Sequence, residues 1–197
     1  ARKRGSGKMG SFKGDIRARN LLDVIHEDIG LDIIEKNVKN KLEGIRAVGY
    51  YGCLMVRPPE ICEMDDAEDP VFLDDIVEAL GGESVYWSYK TDCCGGSLSI
   101  PRSDVVIDLV GNITEQAKAA GANCIVTACP LCHVNLDSRQ AQAAELKGES
   151  FNLPIYYFTE LMGIAFGIQE YPTWLARHFV DALPLIESVL KGARSAG

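Results

Sequence analysis

Three times along this chain of 197 residues, an apolar run short enough to be a buried strand ends, within a few residues, in cysteine. Ile45–Tyr51 leads to Cys53, Ser84–Ser88 leads to Cys93 and Cys94, and Cys124–Ala128 leads directly to Cys129 and Cys132. Between these runs the apolar residues recur at helical spacing. Phe72–Leu80 opens after Pro70 and closes at Gly81-Gly82. Ser103 caps a helix that runs to Ala120 and stops at Gly121, and Leu131–Leu146 reads as one further helix. Asn20–Ile29 and Leu31–Val38 form two short helices ahead of them. A fourth strand is expected at Pro154–Phe158, then a helix capped by Thr159 through Phe166, and a last amphipathic segment over Ala182–Leu190. Parallel strands need helical crossovers, so the alternation predicts an α/β fold: a mostly parallel sheet flanked by helices on both faces. Ligands in such sheets gather at the carboxyl ends of the strands, which places all three cysteine groups on one rim.

Charge narrows the function classes. Lys and Arg number 20 against 28 Asp and Glu, a net −8. Seven of those cations and a single acid, Asp15, fall within residues 1–19, leaving 13 basic against 27 acidic residues in the body. An acidic body repels phosphate, which excludes nucleic-acid binding by it. No apolar run approaches the roughly 18 residues of a membrane span, and no apolar stretch follows the basic start, so neither a span nor a secretory signal is expected. Residues 1–19, glycine-rich and beginning without Met, read as a basic linker or the remnant of a connection to an upstream domain, and residues 20–197 as one cysteine-rich domain with C-terminal helices. Seven cysteines, an odd count with two adjacent and two in C-x-x-C, make a poor disulfide framework and a good set of thiolate ligands. That usage points to a reducing, cytoplasmic compartment.

Cys53, Cys93, Cys94, Cys129 and Cys132 form the pattern C-x39-C-C-G-x33-C-x-x-C. With Asn20-Leu21-Leu22-Asp23-Val24, Tyr50-Tyr51-Gly52-Cys53, Phe72-Leu73-Asp74-Asp75, Lys90-Thr91-Asp92-Cys93-Cys94-Gly95-Gly96 and Cys129-Pro130-Leu131-Cys132-His133, it resembles the cysteine-rich CCG domain found in the B subunit of heterodisulfide reductase. The resemblance covers roughly residues 15 to 170 and is to the C-terminal half of that protein. It implies a non-cubane [4Fe-4S] cluster held by these five cysteines. It also implies reduction of a disulfide substrate to two thiols, with electrons from a cubane iron–sulfur C subunit fed by a flavin-containing A subunit. The family's B subunit usually carries two such domains with substrate between them, so a second CCG domain is an implied partner.

The residues make their own case beside the resemblance. Iron is thiophilic, and an opened cluster can use the fifth thiolate that a cubane has no place for. Gly95 and Gly96 let the backbone pass close to sulfide and supply N–H donors, and Pro130 fixes the turn of the C-x-x-C. Zinc is the alternative metal, although the fifth cysteine has no job in a closed tetrahedron. Other oxidoreductases with the same ligands, in hydroxy-acid oxidation, succinate:quinone reduction or sulfur oxidation, and a zinc-stabilised interaction module are the alternative functions. His133, beside the last ligand, is the candidate catalytic donor, with helix capping as its other reading. Arg57 and Lys90 could offset the charge of five thiolates or be ordinary surface cations. Cys124 reads as a core thiol, Cys62 as a thiol in an acidic loop, His26 and His178 as structural, and Tyr156-Tyr157-Phe158 with Trp174 as core.

Overall fold

A computed structural model describes residues 16–195, so positions 1–15 of the basic segment lie outside the described residues. Of the remainder of that segment, Arg17 pairs with Glu63, and Arg19 bonds Asp23 and Asp28. Asn20 caps the first helix through its side chain, which accepts the Leu22 N–H. The elements follow as α1 (Leu21–Asp23), continued as a π-helical stretch over Val24–Ile29, α2 (Leu31–Asn37), β1 (Arg46–Tyr50), α3 (Pro59–Cys62), α4 (Phe72–Ala79) and β2 (Glu83–Ser84). A 3-10 turn at Gly96–Leu98 precedes α5 (Ser103–Ala119), β3 (Cys124–Thr127), α6 (Pro130–Ser138) and α7 (Gln140–Lys147). β4 (Ile155–Tyr157), α8 (Phe158–Ala165), α9 (Tyr171–Leu175) and α10 (Leu183–Ser195) complete the described chain.

The sheet is four-stranded and parallel throughout, in the order β2-β1-β3-β4. Strand residues alternate between two cores, as their period of two requires. Ala47, Cys124, Val126 and Tyr156 join one core with Leu73, Ile76 and Val77 of α4 and Leu161 and Ile164 of α8. Val48, Ile125 and Ile155 join the other with Val106, Val110 and Ile113 of α5 and Leu136 of α6. Helices therefore cover both faces.

The strand order places the ligand crevice. From β1 the chain goes to α4 on one face and then outward to β2. From β3, on the other side of β1, it goes to α6 on the opposite face and then to β4. The loops leaving β1 and β3 thus diverge, and such a switch in direction is where parallel sheets place a ligand crevice. Cys53 lies just beyond β1, and Cys129 just beyond β3.

Three elements differ from the sequence reading. The second strand, expected over Ser84–Ser88, pairs only through Glu83 and Ser84. Val85 N–H still reaches the Ala47 carbonyl, but the buried Trp87 then inserts its indole N–H against the Gly49 carbonyl at 2.8 Å, and the chain is released toward Cys93. The single helix expected over Leu131–Leu146 is two, with the division at Arg139 (φ −103, ψ −4), which stays in the right-handed region. The Gln140 amide beyond the break donates to the Leu136 and Leu153 carbonyls and accepts the Leu153 N–H. At β4 the helix cap is Tyr157, two residues earlier than the expected Thr159, with the Glu160 carboxylate accepting the Tyr157 N–H.

Candidate metal centre

The first cysteine loop is bound to the second by backbone and side chain together. Tyr51 and Gly52 N–H both donate to the Lys90 carbonyl, at 2.8 and 3.1 Å. The buried Tyr50 hydroxyl donates to the Asp92 carbonyl at 2.6 Å, fixing the residue before Cys93. Lys90 itself is 4% exposed, so it is no surface cation. Its ammonium bonds the Pro70 carbonyl, Asp69 and Asp74 at 2.8, 2.9 and 3.1 Å, which anchors the second loop to the start of α4. Arg57 is likewise engaged, with Glu68 and the Thr91 hydroxyl. Neither charge is left over to offset thiolates.

These restraints bring the five predicted cysteines into two contacting sets. Cys53 and Cys93 sulfurs are 3.7 Å apart, and Gly95 N–H donates to the Cys93 sulfur at 3.3 Å. Cys94 and Cys132 sulfurs are 3.4 Å apart, and Cys132 also bonds Cys129. Burial of the Tyr50 hydroxyl, together with the thiols of Cys132, Cys94, Cys93 and Cys53 around it, pushes its pKa up.

Close approach depends on two glycines. Gly52 turns the chain at φ +66, and a Cβ there would lie 2.7 Å from the Cys132 sulfur, so the β1 loop has room against the third cysteine group only for hydrogen. Gly95, at φ +75, is buried against Val106 and Leu109. Gly96 is less constrained, since a Cβ would sit at ordinary contact, 3.6 Å from the Cys94 sulfur.

Local hydrogen bonding separates the thiols. Cys129 occupies the N-cap position of α6, with Pro130 as the first helical residue. The Cys132 thiol and the backbone N–H groups of Cys132 and Leu131 lower its pKa to about 6. The Cys94 thiol is lowered to about 7, first by the Cys132 thiol and further by the Gly96 N–H and the Asn135 amide. Cys132, bonded to both Cys129 and Cys94, is raised. Burial and the neighbouring Cys93 raise Cys53. Cys124 is fully buried in β3, and desolvation alone pushes its thiol up, as a core cysteine requires. Cys62 ends α3 rather than lying in a loop, with its sulfur 3.7 Å from the Leu54 carbonyl.

His133 turns toward β4, its Nε2 3.1 Å from the Ile155 carbonyl and its ring edge-on to His178 and Tyr157. Sequence reading left His178 apart from this region and did not single out Glu160. The structure brings His133, Glu160 and His178 together, with ligand-type atoms within 4.8 Å of one another. The group is already internally bonded: Glu160 takes His178 Nε2 and the Tyr157 N–H, and His133 takes the Ile155 carbonyl, while His178 Nδ1 is buried without a partner. Asp137 fastens the same region by accepting the Phe179 and Val180 N–H groups. Tyr156 and Phe158 are core as expected, whereas Trp174 is only partly buried. Sequence reading also missed Asn135, whose only early signal is its place one helical turn after Cys132.

The family model for the Cysteine-rich domain, CCG, matches residues 47–137, the span that holds all five cysteines. Beyond the CCG match, the chain is 29% identical over 180 residues to the B subunit of the ferredoxin:CoB-CoM heterodisulfide reductase of Methanosarcina mazei, covering 90% of this chain and 60% of that protein. It is 28% identical over 160 residues to an Archaeoglobus profundus protein named as like the heterodisulfide reductase B subunit, covering 79% of this chain and 54% of that one. It is also 27% identical over 175 residues to the 8-methylmenaquinol:fumarate reductase membrane anchor subunit of Wolinella succinogenes, covering 89% and 61%. The chain thus spans little more than half the length of these relatives, whose names place them in reductases. The names of these relatives differ in partner and substrate. Among the described residues no helix is long and apolar enough to cross a membrane.

Proposed function

We propose that the CCG domain holds a non-cubane [4Fe-4S] cluster through Cys53, Cys93, Cys94, Cys129 and Cys132, and acts in an oxidoreductase complex that reduces a disulfide to two thiols. The observation that carries this reading is the meeting of five thiols from three strand-end loops at the switch-point crevice, with a glycine that leaves no room for a Cβ. The donor chemistry suits iron and sulfide. It suits one zinc ion less well. Zn–S bonds of about 2.3 Å would bring four sulfurs within roughly 3.8 Å of one another, whereas among the described residues no three thiols are mutually within 4.8 Å.

When bound, the cluster supplies electrons to a sulfur held beside it. The chain's own residues do the rest. Cys93 is exposed and borders the outside, and an apolar groove of about 460 Å3 lined by Leu54, Pro58 and Pro59 runs beside Cys53, a seat for the organic part of a disulfide. Breaking R–S–S–R′ consumes two electrons and two protons and yields two thiols. A second CCG domain facing this one, a C subunit that donates electrons and an A subunit that feeds it complete the proposed assembly. Exposed Leu54, Ile61, Leu98, Ile100, Leu131 and Val134 around the cysteine loops supply the apolar docking rim.

Anaerobically prepared protein is expected to be brown, with about four irons and four sulfides per chain. One tightly bound zinc without iron would overturn the cluster reading. Disulfide turnover by the isolated, cluster-loaded chain with a low-potential dye, at the rate of a two-domain relative, would overturn the paired-domain reading alone.

A further inference from the structure

Asn135 lies on α6, three residues after Cys132, and is 5% exposed. A buried carboxamide must satisfy its donors and acceptor or destabilise the fold, so its partners are informative. Its Nδ2 is 3.2 Å from the Cys94 carbonyl and 3.7 Å from the Cys94 sulfur. A carbonyl only accepts, so the contact with Cys94 O fixes which end of the amide is NH2 and turns that end toward the sulfur. At the other end Oδ1 accepts the Ser99 hydroxyl. Ser99 follows the 3-10 turn after Gly96, and its carbonyl accepts Arg139 Nη2 at 3.4 Å, one helical turn beyond Asn135. The amide is held at both ends, and a leucine of similar size would fill the space without any of these bonds.

We propose that Asn135, oriented by Ser99, is a positioning residue that sets the reduction potential of the bound cluster by donating an N–H to the Cys94 sulfur. The inference rests on the cluster reading above. Reduction adds electron density to the sulfurs, so a donor aimed at one of them stabilises the reduced form more than the oxidised form and raises the potential. Cys94 is the thiol where this matters most, because its sulfur is buried and has little water to replace the lost donor.

The test is a redox titration of the full, anaerobically loaded chain, followed by electron paramagnetic resonance, on wild type, Asn135→Leu, Asn135→Asp and Ser99→Ala, each with its iron content measured. Asn135→Leu is expected to lower the reduced-to-oxidised ratio at fixed potential about tenfold, which is 59 mV for a one-electron couple. Ser99→Ala frees the amide to turn and should shift the potential in the same direction by less. Asn135→Asp replaces the donor with negative charge and should shift it at least as far as Asn135→Leu. Full iron with an unmoved potential in Asn135→Leu overturns the proposal, as does a shift confined to Asn135→Asp, which would show a charge effect only. If Asn135→Leu fails to hold iron, Ser99→Ala decides: an unmoved potential there overturns the proposal. A wild-type chain without iron overturns the cluster reading itself, and this one with it.

Discussion

Cys94, Cys129 and Cys132 gather at the start of one helix, where Gly96 and Leu131 N–H groups and the Asn135 amide point at their sulfurs, and Cys94 and Cys132 are buried. Cys53 and Cys93 instead sit on two loops held through Lys90 and Tyr50, with Cys93 exposed and the Gly95 N–H donating to its sulfur. Cys129 and Cys132 owe their geometry to a helix N-terminus, which is rigid and supplies donors by construction, and Cys94 is tied to the same helix through Asn135. The outer two owe theirs to tertiary anchors on α4. This division is what the proposed centre would need: an inner set to retain a metal and an outer set open to a substrate.

Removing an inner thiol breaks the comparison most severely. Cys94→Ser is expected to lose or remodel the metal, while Cys62→Ser and Cys124→Ala retain it, because neither of those thiols reaches the crevice. Iron per chain after anaerobic desalting measures the difference, and equal retention in all three variants would refute the ligand assignment.

The meeting point of the two sets is Gly52. Gly52→Ala carries the αL penalty of about 1–2 kcal/mol, plus overlap with the Cys132 sulfur at 2.7 Å. It should reduce metal retention and lower the midpoint of denaturation. Gly96→Ala meets its nearest atoms at 3.6 Å and should leave both nearly unchanged. A pair of variants with matching losses would mean that the loops yield, and that inner and outer sets are not held against each other as tightly as the geometry states.

Much of this was legible in the sequence because strand ends and cysteines coincide. Parallel topology, helices on both faces, and the five thiols at strand-end loops all follow from apolar spacing and from the rule that ligands gather at carboxyl ends. What escaped was tertiary. The shortening of β2 depends on the Trp87 indole bonding the Gly49 carbonyl, which no local pattern announces. Lys90 read as rim cation or surface charge because its acids, Asp69 and Asp74, lie 21 and 16 residues upstream. Asn135 carries no signal apart from its spacing to Cys132, and His133, Glu160 and His178 come from three separate segments.

The smallest expected effect sharpens the comparison from the outer side. His26 stacks on Phe72 of α4 at a ring distance of 3.7 Å, with Nε2 2.8 Å from Asp75 and Nδ1 3.0 Å from Glu27. Burial opposes its charge, but the bonds to Asp75 and Glu27 outweigh burial and raise its pKa, and Asp23 and Asp65 add negative potential nearby. A histidine raised in the folded state gives stability that is complete below the unfolded value near 6.5 and is lost as pH rises through the folded value. α4 also carries Asp74, one of the anchors of Lys90, so loosening the contact between His26 and α4 should reach the outer loops before the inner helix. Hydrogen exchange between pH 5.5 and 8 should then show protection of α4 and the Lys90 loop falling with pH, after correction for intrinsic rates, with no parallel fall in the first turn of α6, where the lowered thiol of Cys129 favours the folded state as pH rises. His26→Gln should remove that pH dependence. Equal loss of protection at α6 would show that inner and outer sets open as one unit.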